Sequence, residues 1–97
     1  MSDTQSQNVP AQSLAALSVI VPVCDEAGAI APLLHEVLAK VGAAYRVEVV
    51  VVDDGSRDGT DAVVADLASK YPRVTLIRHA ARSGKSAALR TGAMAAT

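Results

Sequence analysis

Two adjacent carboxylates directly follow a run of four valines in this 97-residue chain. The run, residues 49–52, is apolar on both faces, as expected of a strand in a parallel sheet that helices cover on both sides. Asp53 and Asp54 would then lie at the carboxyl end of that strand, where open α/β sheets bind ligands. A carboxylate there can accept hydrogen bonds from a ribose hydroxyl or a nucleobase N–H. We therefore expect a ligand site at this edge, with function favoured over simple helix capping for the pair.

Two further loops carry polar residues at equivalent places. Asp25 and Glu26 follow the apolar segment 18–23, as the aspartate pair follows the valine run. Gly84 and Lys85 follow a third apolar segment, and a helix N-terminus next to a lysine can hold phosphate. Each loop taken alone is also compatible with helix capping or solvated surface charge. The three together predict a site, because parallel strands would bring all three loops to one edge of the sheet.

Strands and helices alternate along the chain. The predicted strands are residues 18–23, 46–52 and 74–77, and Pro22 is expected near a strand end because it cannot donate a ladder hydrogen bond. Two helices follow from apolar periodicity, and a third, rich in alanine, is predicted to open at Ser83 or Gly84 and to run to the C-terminus. The predicted apolar faces are Ile30, Leu33, Leu34, Val37, Leu38 and Val41 in the first helix, and Val63, Val64, Leu67, Ala68 and Tyr71 in the second.

The βαβαβα order with short connections predicts an α/β fold, a three-layer Rossmann-like parallel sheet. Residues 1–16 are rich in Ser, Gln and Asn and predict a flexible leader, so the folded domain is expected over residues 17–97. Within the second loop, Ser56, Asp58 and Thr60 are expected to accept hydrogen bonds from the free amides of the helix that follows.

Composition excludes several classes of protein. Aromatic residues make up 2% of the chain and the net charge is −1, which disfavours base stacking and a basic DNA-binding patch. We therefore expect no nucleic-acid partner. The single cysteine, Cys24, cannot form an intramolecular disulfide and fits a reducing compartment. We interpret it as a packing residue.

The pattern of hydrophobicity predicts no membrane segment in this chain. No apolar run reaches the ~20 residues that a membrane helix needs, and the N-terminus lacks the basic and apolar regions of a secretory signal. The expected location is cytoplasmic, or the inner face of a membrane if a longer parent protein carries an anchor.

The sequence partly resembles two known motifs and one known domain but matches none of them. The segment from Asp54 to Gly59 resembles half of an EF-hand, but Ala65 stands where a bidentate glutamate is required. The Gly84-Lys85-Ser86 segment resembles a P-loop, but His79 stands where the motif needs its first glycine. A response-regulator domain would share the paired acidic site, but no phosphoacceptor strand end is evident after the third strand.

The three loops resemble those of the inverting family 2 glycosyltransferases. VIVPVCDEAGAI, VEVVVVDDGSRDGT and RSGKSAALRTG occur in the family's order and spacing across residues 18–97, and are most similar to polyprenyl-phosphate hexosyltransferases related to dolichyl-phosphate mannose synthase. The resemblance implies the N-terminal part of a GT-A fold, which binds a nucleotide sugar. It implies the following roles: Pro22, Asp25 and Glu26 against the nucleoside, Asp53 at the base, and Gly84 and Lys85 bordering the nucleotide pocket. Asp54 joins this candidate set, with the organisation of its turn as its expected role.

The chain departs from that family at two loops. Cys24-Asp25-Glu26 stands where Tyr-Asn-Glu is common in the family. In the third loop, Arg82 stands two residues before Gly84, where the family often has asparagine. The family's metal-binding Asp-x-Asp motif would follow on the next strand, beyond Thr97. No catalytic or metal-binding residue is therefore expected within this chain.

The resemblance implies a parent enzyme that moves a hexosyl group from a nucleoside-diphosphate sugar to an acceptor such as a polyprenyl phosphate. Mg²⁺ or Mn²⁺ would be held there by residues outside this chain. The chain alone is expected to lack transferase activity. The alternatives are a non-catalytic nucleotide-binding module and a truncated fragment without independent function.

Overall fold

The computed structural model describes residues 14–96. Three strands and three helices alternate along them. The strands are β1 (Ala16–Val23), β2 (Arg46–Asp54) and β3 (Val74–His79), and the helices are α1 (Ile30–Lys40), α2 (Thr60–Lys70) and α3 (Lys85–Ala95). The predicted βαβαβα order is confirmed.

The strands form one parallel sheet in the order β1-β2-β3. In the register, Val23 lies opposite Asp53, and Asp54 lies opposite His79. The three strands therefore end at the same edge of the sheet. Pro22 is the penultimate residue of β1, as its missing N–H predicts.

The valine run of β2 is buried on both faces of the sheet. Val49 and Val51 point into a core formed with α1 and α2, whereas Val50 and Val52 point into a smaller core beneath α3. This alternation follows from the period of two in a strand. Helices on both faces explain why β2 carries apolar residues at four consecutive positions, 49–52. The predicted three-layer α/β architecture is thus confirmed.

Gly92 is the position at which α3 lies closest to the sheet. A Cβ added there would lie 2.4 Å from Cγ2 of Ile20 and 3.2 Å from Cγ2 of Val52. A side chain would therefore push the helix away from β1 and β2. Ala88, one turn earlier, is fully buried on the same side.

Several predicted boundaries and faces differ from the structure. β1 begins at Ala16, the last residue assigned to the leader, because the parallel partner β2 already begins opposite it at Arg46. The leader otherwise lies outside the described residues up to residue 13. Leu33 and Tyr71 belong to the predicted apolar faces but are exposed to 44% and 37%. The periodicity locates each face correctly, but the neighbouring elements do not cover these two side chains.

Candidate functional site

Three loops meet at the carboxyl edge of the sheet. Loop 1 covers residues 24–29, loop 2 covers residues 55–59, and loop 3 covers residues 80–84. Each follows a strand and precedes a helix. Since the strands are parallel and end together, the loops lie side by side as the sequence predicts.

Loop 1 is tied to loop 2 through its own backbone. The amide of Asp25 donates to Oγ of Ser56 at 2.8 Å, and the amide of Glu26 donates to Oγ1 of Thr60 at 2.8 Å. The amide of Ala27 donates to Oδ2 of Asp58 at 3.1 Å. Three consecutive amides are thereby satisfied just before α1 begins.

These bonds correct part of the sequence prediction for loop 2. Asp58 does accept from the amide of Thr60 at the start of α2, at 3.0 Å. Ser56 and Thr60, however, accept from loop 1 and not from the following helix. The hydroxyl of Thr60 and the amide of Ala27 lower the pKa of Asp58 from its ordinary value, because both donate to its charged form.

Asp25 joins all three loops. One carboxylate oxygen accepts from the amide of Arg57 at 2.8 Å, and the other pairs with the guanidinium of Arg82. Asp25 has a φ of +55°, in the left-handed region that aspartate tolerates better than most residues. The turn so formed brings its side chain between loops 2 and 3.

The two aspartates of β2 serve different turns. Asp53 is 1% exposed and accepts from the amide of Ser56 at 3.0 Å, within its own loop. Asp54 points to the opposite face, as strand geometry predicts. Its Oδ1 accepts from the amide of Ser83 at 2.9 Å, and its Oδ2 accepts from the amide of Gly84 at 2.8 Å. Asp54 therefore organises loop 3.

Gly55 allows loops 2 and 3 to lie against one another. It has a φ of +76°, and a Cβ there would lie 2.8 Å from the backbone nitrogen of Arg82. A side chain would clash with backbone, which cannot move aside cheaply, so glycine is required for both reasons. Beside this contact is a cavity of about 350 Å³ lined by Gly55, Arg57, Ala80, Ala81 and Arg82.

Asp54 also takes part in a side-chain network that sequence analysis missed. Its Oδ1 lies 2.9 Å from Nδ1 of His79 and accepts from the hydroxyl of Ser83 at 2.9 Å. The hydrogen bond from His79, followed by the amide of Ser83, holds the pKa of Asp54 far below its ordinary value. No local sequence signal marks His79, because its partners are distant in the chain.

A cavity of about 170 Å³ lies between loop 1 and the start of α3. Four of the predicted site residues line it, namely Pro22, Glu26, Asp54 and Lys85, together with Val23, Cys24 and Ala88. Glu26 and Asp54 supply carboxylates, Lys85 supplies an ammonium group, and Pro22 and Ala88 supply apolar surface. Such a mixture suits a ligand that carries hydroxyls and negative charge.

The remaining predicted residues lie around that cavity. Gly84 precedes Lys85 and donates its amide to Asp54, whereas Asp25 bridges the loops outside the cavity. The side chain of Asp53 is buried beneath loop 2, and its contact with a base stays a prediction. Partial burial raises the pKa of the Cys24 thiol, which disfavours the nucleophilic thiolate.

The acidic residues of the described range, 14–96, do not form a metal site. No group of three or more His, Cys, Asp or Glu side chains in that range could hold an ion. Asp53 and Asp54 direct their carboxylates at backbone amides, which occupy the positions that a metal would need. Over the same range, no helix is long and apolar enough to cross a membrane.

Comparisons with known proteins agree with this arrangement. The sequence model of the family "Glycosyl transferase family 2" matches residues 18–97. The dolichyl-phosphate beta-glucosyltransferase ALG5C of Trichomonas vaginalis is 32% identical over 81 residues, which cover 77% of this chain and 24% of that protein. A prophage bactoprenol glucosyl transferase homolog of Escherichia coli is 34% identical over 78 residues, covering 78% and 25%. The chain thus spans about a quarter of the length of these relatives.

A solved structure has the same fold. The mannosyltransferase PcManGT of Pyrobaculum calidifontis, in complex with GDP-Man and Mn²⁺, superposes with a TM-score of 0.65 at 32% identity. The match covers 97% of this chain and 30% of the other. The three parallel strands with their helices therefore correspond to the N-terminal part of a GT-A fold.

Proposed function

Because the chain belongs to glycosyl transferase family 2, we propose that it is the nucleotide-binding portion of an enzyme that transfers a hexosyl group from a nucleoside-diphosphate sugar. The observation that carries the proposal is the cavity between loop 1 and α3, which gathers Pro22, Glu26, Asp54 and Lys85 from separate parts of the chain. Its position at the carboxyl edge of a parallel sheet is where nucleotides bind in folds of this class.

Each group at the edge has a chemical task in this proposal. Lys85, in the first turn of α3, attracts the diphosphate together with the positive end of the helix dipole. Pro22 offers an apolar surface to the nucleoside, and Glu26 accepts hydrogen bonds from hydroxyls. Asp53 is proposed as the base contact, which requires loop 2 to expose its carboxylate. Asp54 acts through loop 3, whose amides it already holds.

We propose an acceptor and a metal ion only for the longer parent protein. Relatives whose names include dolichyl-phosphate and bactoprenol glucosyl transferase support a polyprenyl phosphate as the acceptor. The neighbouring structure contains Mn²⁺, which supports a divalent ion, Mg²⁺ or Mn²⁺, in the parent. The described residues do not fit that ion, so its ligands are proposed to lie outside this chain, and no step is derived through it.

Calorimetric titration of the 97-residue chain with UDP and with GDP tests the nucleotide site. We expect one of them to bind and Lys85→Ala to weaken the affinity by about tenfold, the usual effect of losing a hydrogen bond to a charged group. Lys40→Ala is the matched control, because Lys40 ends α1 at the opposite edge of the sheet and pairs with Glu36. Asp53→Asn tests the proposed base contact in the same assay. Absence of binding to both nucleotides would refute the proposal and leave only the fold.

The chain alone is proposed to be inactive in sugar transfer. A non-catalytic nucleotide-binding module is the second candidate, supported by the cavity without a metal site among the described residues. The two differ in the parent protein: in-frame sequence that supplies an Asp-x-Asp motif on a following strand favours the enzyme. Metal-dependent hexosyl transfer by the purified 97-residue chain would contradict the proposed inactivity.

A further inference from the structure

His79 lies at the centre of a closed network of side chains beneath loop 3. Its Nδ1 lies 2.9 Å from Oδ1 of Asp54 and 2.8 Å from Oγ of Ser83, and its Nε2 lies 2.9 Å from Oγ1 of Thr91. The hydroxyl of Thr91 donates to the carbonyl oxygen of Ala87 at 3.0 Å. The ring therefore connects the end of β2 to the middle of α3, with only 19% of its side chain exposed.

The two ring nitrogens face different partners. The hydroxyl of Thr91 lies between Nε2 and the carbonyl oxygen of Ala87. The carboxylate of Asp54 is ionised and can only accept, so Nδ1 is the donor in that contact. Ser83 completes the arrangement, since its hydroxyl donates to Asp54 while its oxygen faces Nδ1. Nδ1 is therefore the ring nitrogen that serves Asp54, and Nε2 is the one that faces Thr91.

The network holds α3 at two places. Asp54 holds the helix start through the amides of Ser83 and Gly84, and Thr91 is held about two turns further along. We infer that His79 is a positioning residue: it fixes Asp54 so that loop 3 presents Lys85 to the cavity. This inference rests on the proposed function only in that Lys85 is taken to meet a nucleotide.

Two conservative variants separate the two ends of the ring. In His79→Asn the side-chain amide takes the place of Nδ1 and keeps the bond to Asp54, whereas in His79→Gln it takes the place of Nε2 and keeps the bond to Thr91. Thr91→Val removes the distal acceptor with little change in shape. Hydrogen exchange of the Ser83 and Gly84 amides reports on loop 3 without any nucleotide. Exchange of the Val51 amide, in the core, is the control for global stability.

In His79→Gln we expect the Ser83 and Gly84 amides to exchange their hydrogens about tenfold faster, because a charge-assisted hydrogen bond to Asp54 is lost. We expect His79→Asn to retain most of that protection, and UDP or GDP affinity to follow the same order. Equal effects of the two variants, or no effect of either, would overturn the inference. A wild-type chain that binds neither nucleotide would refute the proposed function, while the exchange comparison would still decide the role of His79.

A measurement on the wild-type chain needs no variant. Long-range ¹H–¹⁵N correlation spectra of the His79 ring are expected to show hydrogen on Nδ1, the nitrogen that faces Asp54. A bare Nδ1 would overturn the donor assignment and with it the inferred role.

Discussion

Replacing Gly92 by alanine tests how closely α3 must approach the sheet. The added Cβ would lie 2.4 Å from Cγ2 of Ile20, more than about 1 Å short of the separation at which two carbon atoms attract best. The Cγ2 of Val52 would lie 3.2 Å from the same Cβ. The methyl group therefore has no space to enter, and α3 must move away from β1 and β2.

Two opposing terms determine how much Gly92→Ala changes the free energy of unfolding. Overpacking a core by a methyl group costs about 1–3 kcal/mol, whereas alanine is better than glycine within a helix by about 1 kcal/mol. We expect Gly92→Ala to lower the free energy of unfolding by about 1 kcal/mol net. The helix term can be measured separately with Ala93→Gly, because Ala93 is the next residue and is exposed.

Urea denaturation of the wild type and both variants provides the free energies. A double variant with Ile20→Ala, which removes the clashing Cγ2, should recover most of the overpacking cost, with a coupling energy of about 1 kcal/mol. A Gly92→Ala protein that is more stable by the full helix-propensity gain would refute the close approach. So would additive effects of the Ile20 and Gly92 changes, since the two side chains would then not interact.

Three further predictions concern the core and the loops. Val51→Ala should lower the free energy of unfolding by about 2 kcal/mol in urea denaturation, because the side chain is fully buried in the core with α1 and α2. Leu89→Ala, on the exposed side of α3, should change that free energy little. Asp54→Asn should flatten the pH dependence of unfolding. The pKa of Asp54 is lowered in the folded state, so its contribution is present above its unfolded pKa of about 3.9 and is lost as the pH falls below that value; identical acid profiles would contradict this. Asp58→Ala should speed hydrogen exchange at the Ala27 amide, which donates to that carboxylate, and unchanged exchange would show that loop 1 does not depend on it.

The elements and the position of the site follow from the sequence because they depend on local patterns. The four valines of β2 require cover on both faces, and the polar residues after each strand must then emerge at one edge. The same reasoning places Asp53 and Asp54 on opposite faces. These features can be predicted without knowing which loops contact one another.

The hydrogen bonds between loops could not be predicted, because they join residues far apart in the chain. Ser56 is of a residue type that commonly caps helices, yet its side-chain oxygen accepts a hydrogen bond from the amide of Asp25. His79 offers two ring nitrogens to partners that only the packing of α3 on the sheet brings together. Tertiary geometry, and not propensity, decides between such alternatives.

Because loop 1 is anchored through its backbone amides, some of its side chains can be substituted without loss of that anchoring. Residues 25–27 are anchored by their backbone N–H groups, whereas their partners are the side chains of Ser56 and Asp58 in loop 2 and of Thr60 at the start of α2. Side chains at positions 26 and 27 can therefore be exchanged without breaking those anchors, so long as proline is avoided. A combinatorial library randomised at position 26, whose side chain lines the cavity, would vary that wall while loop 2 stays unchanged.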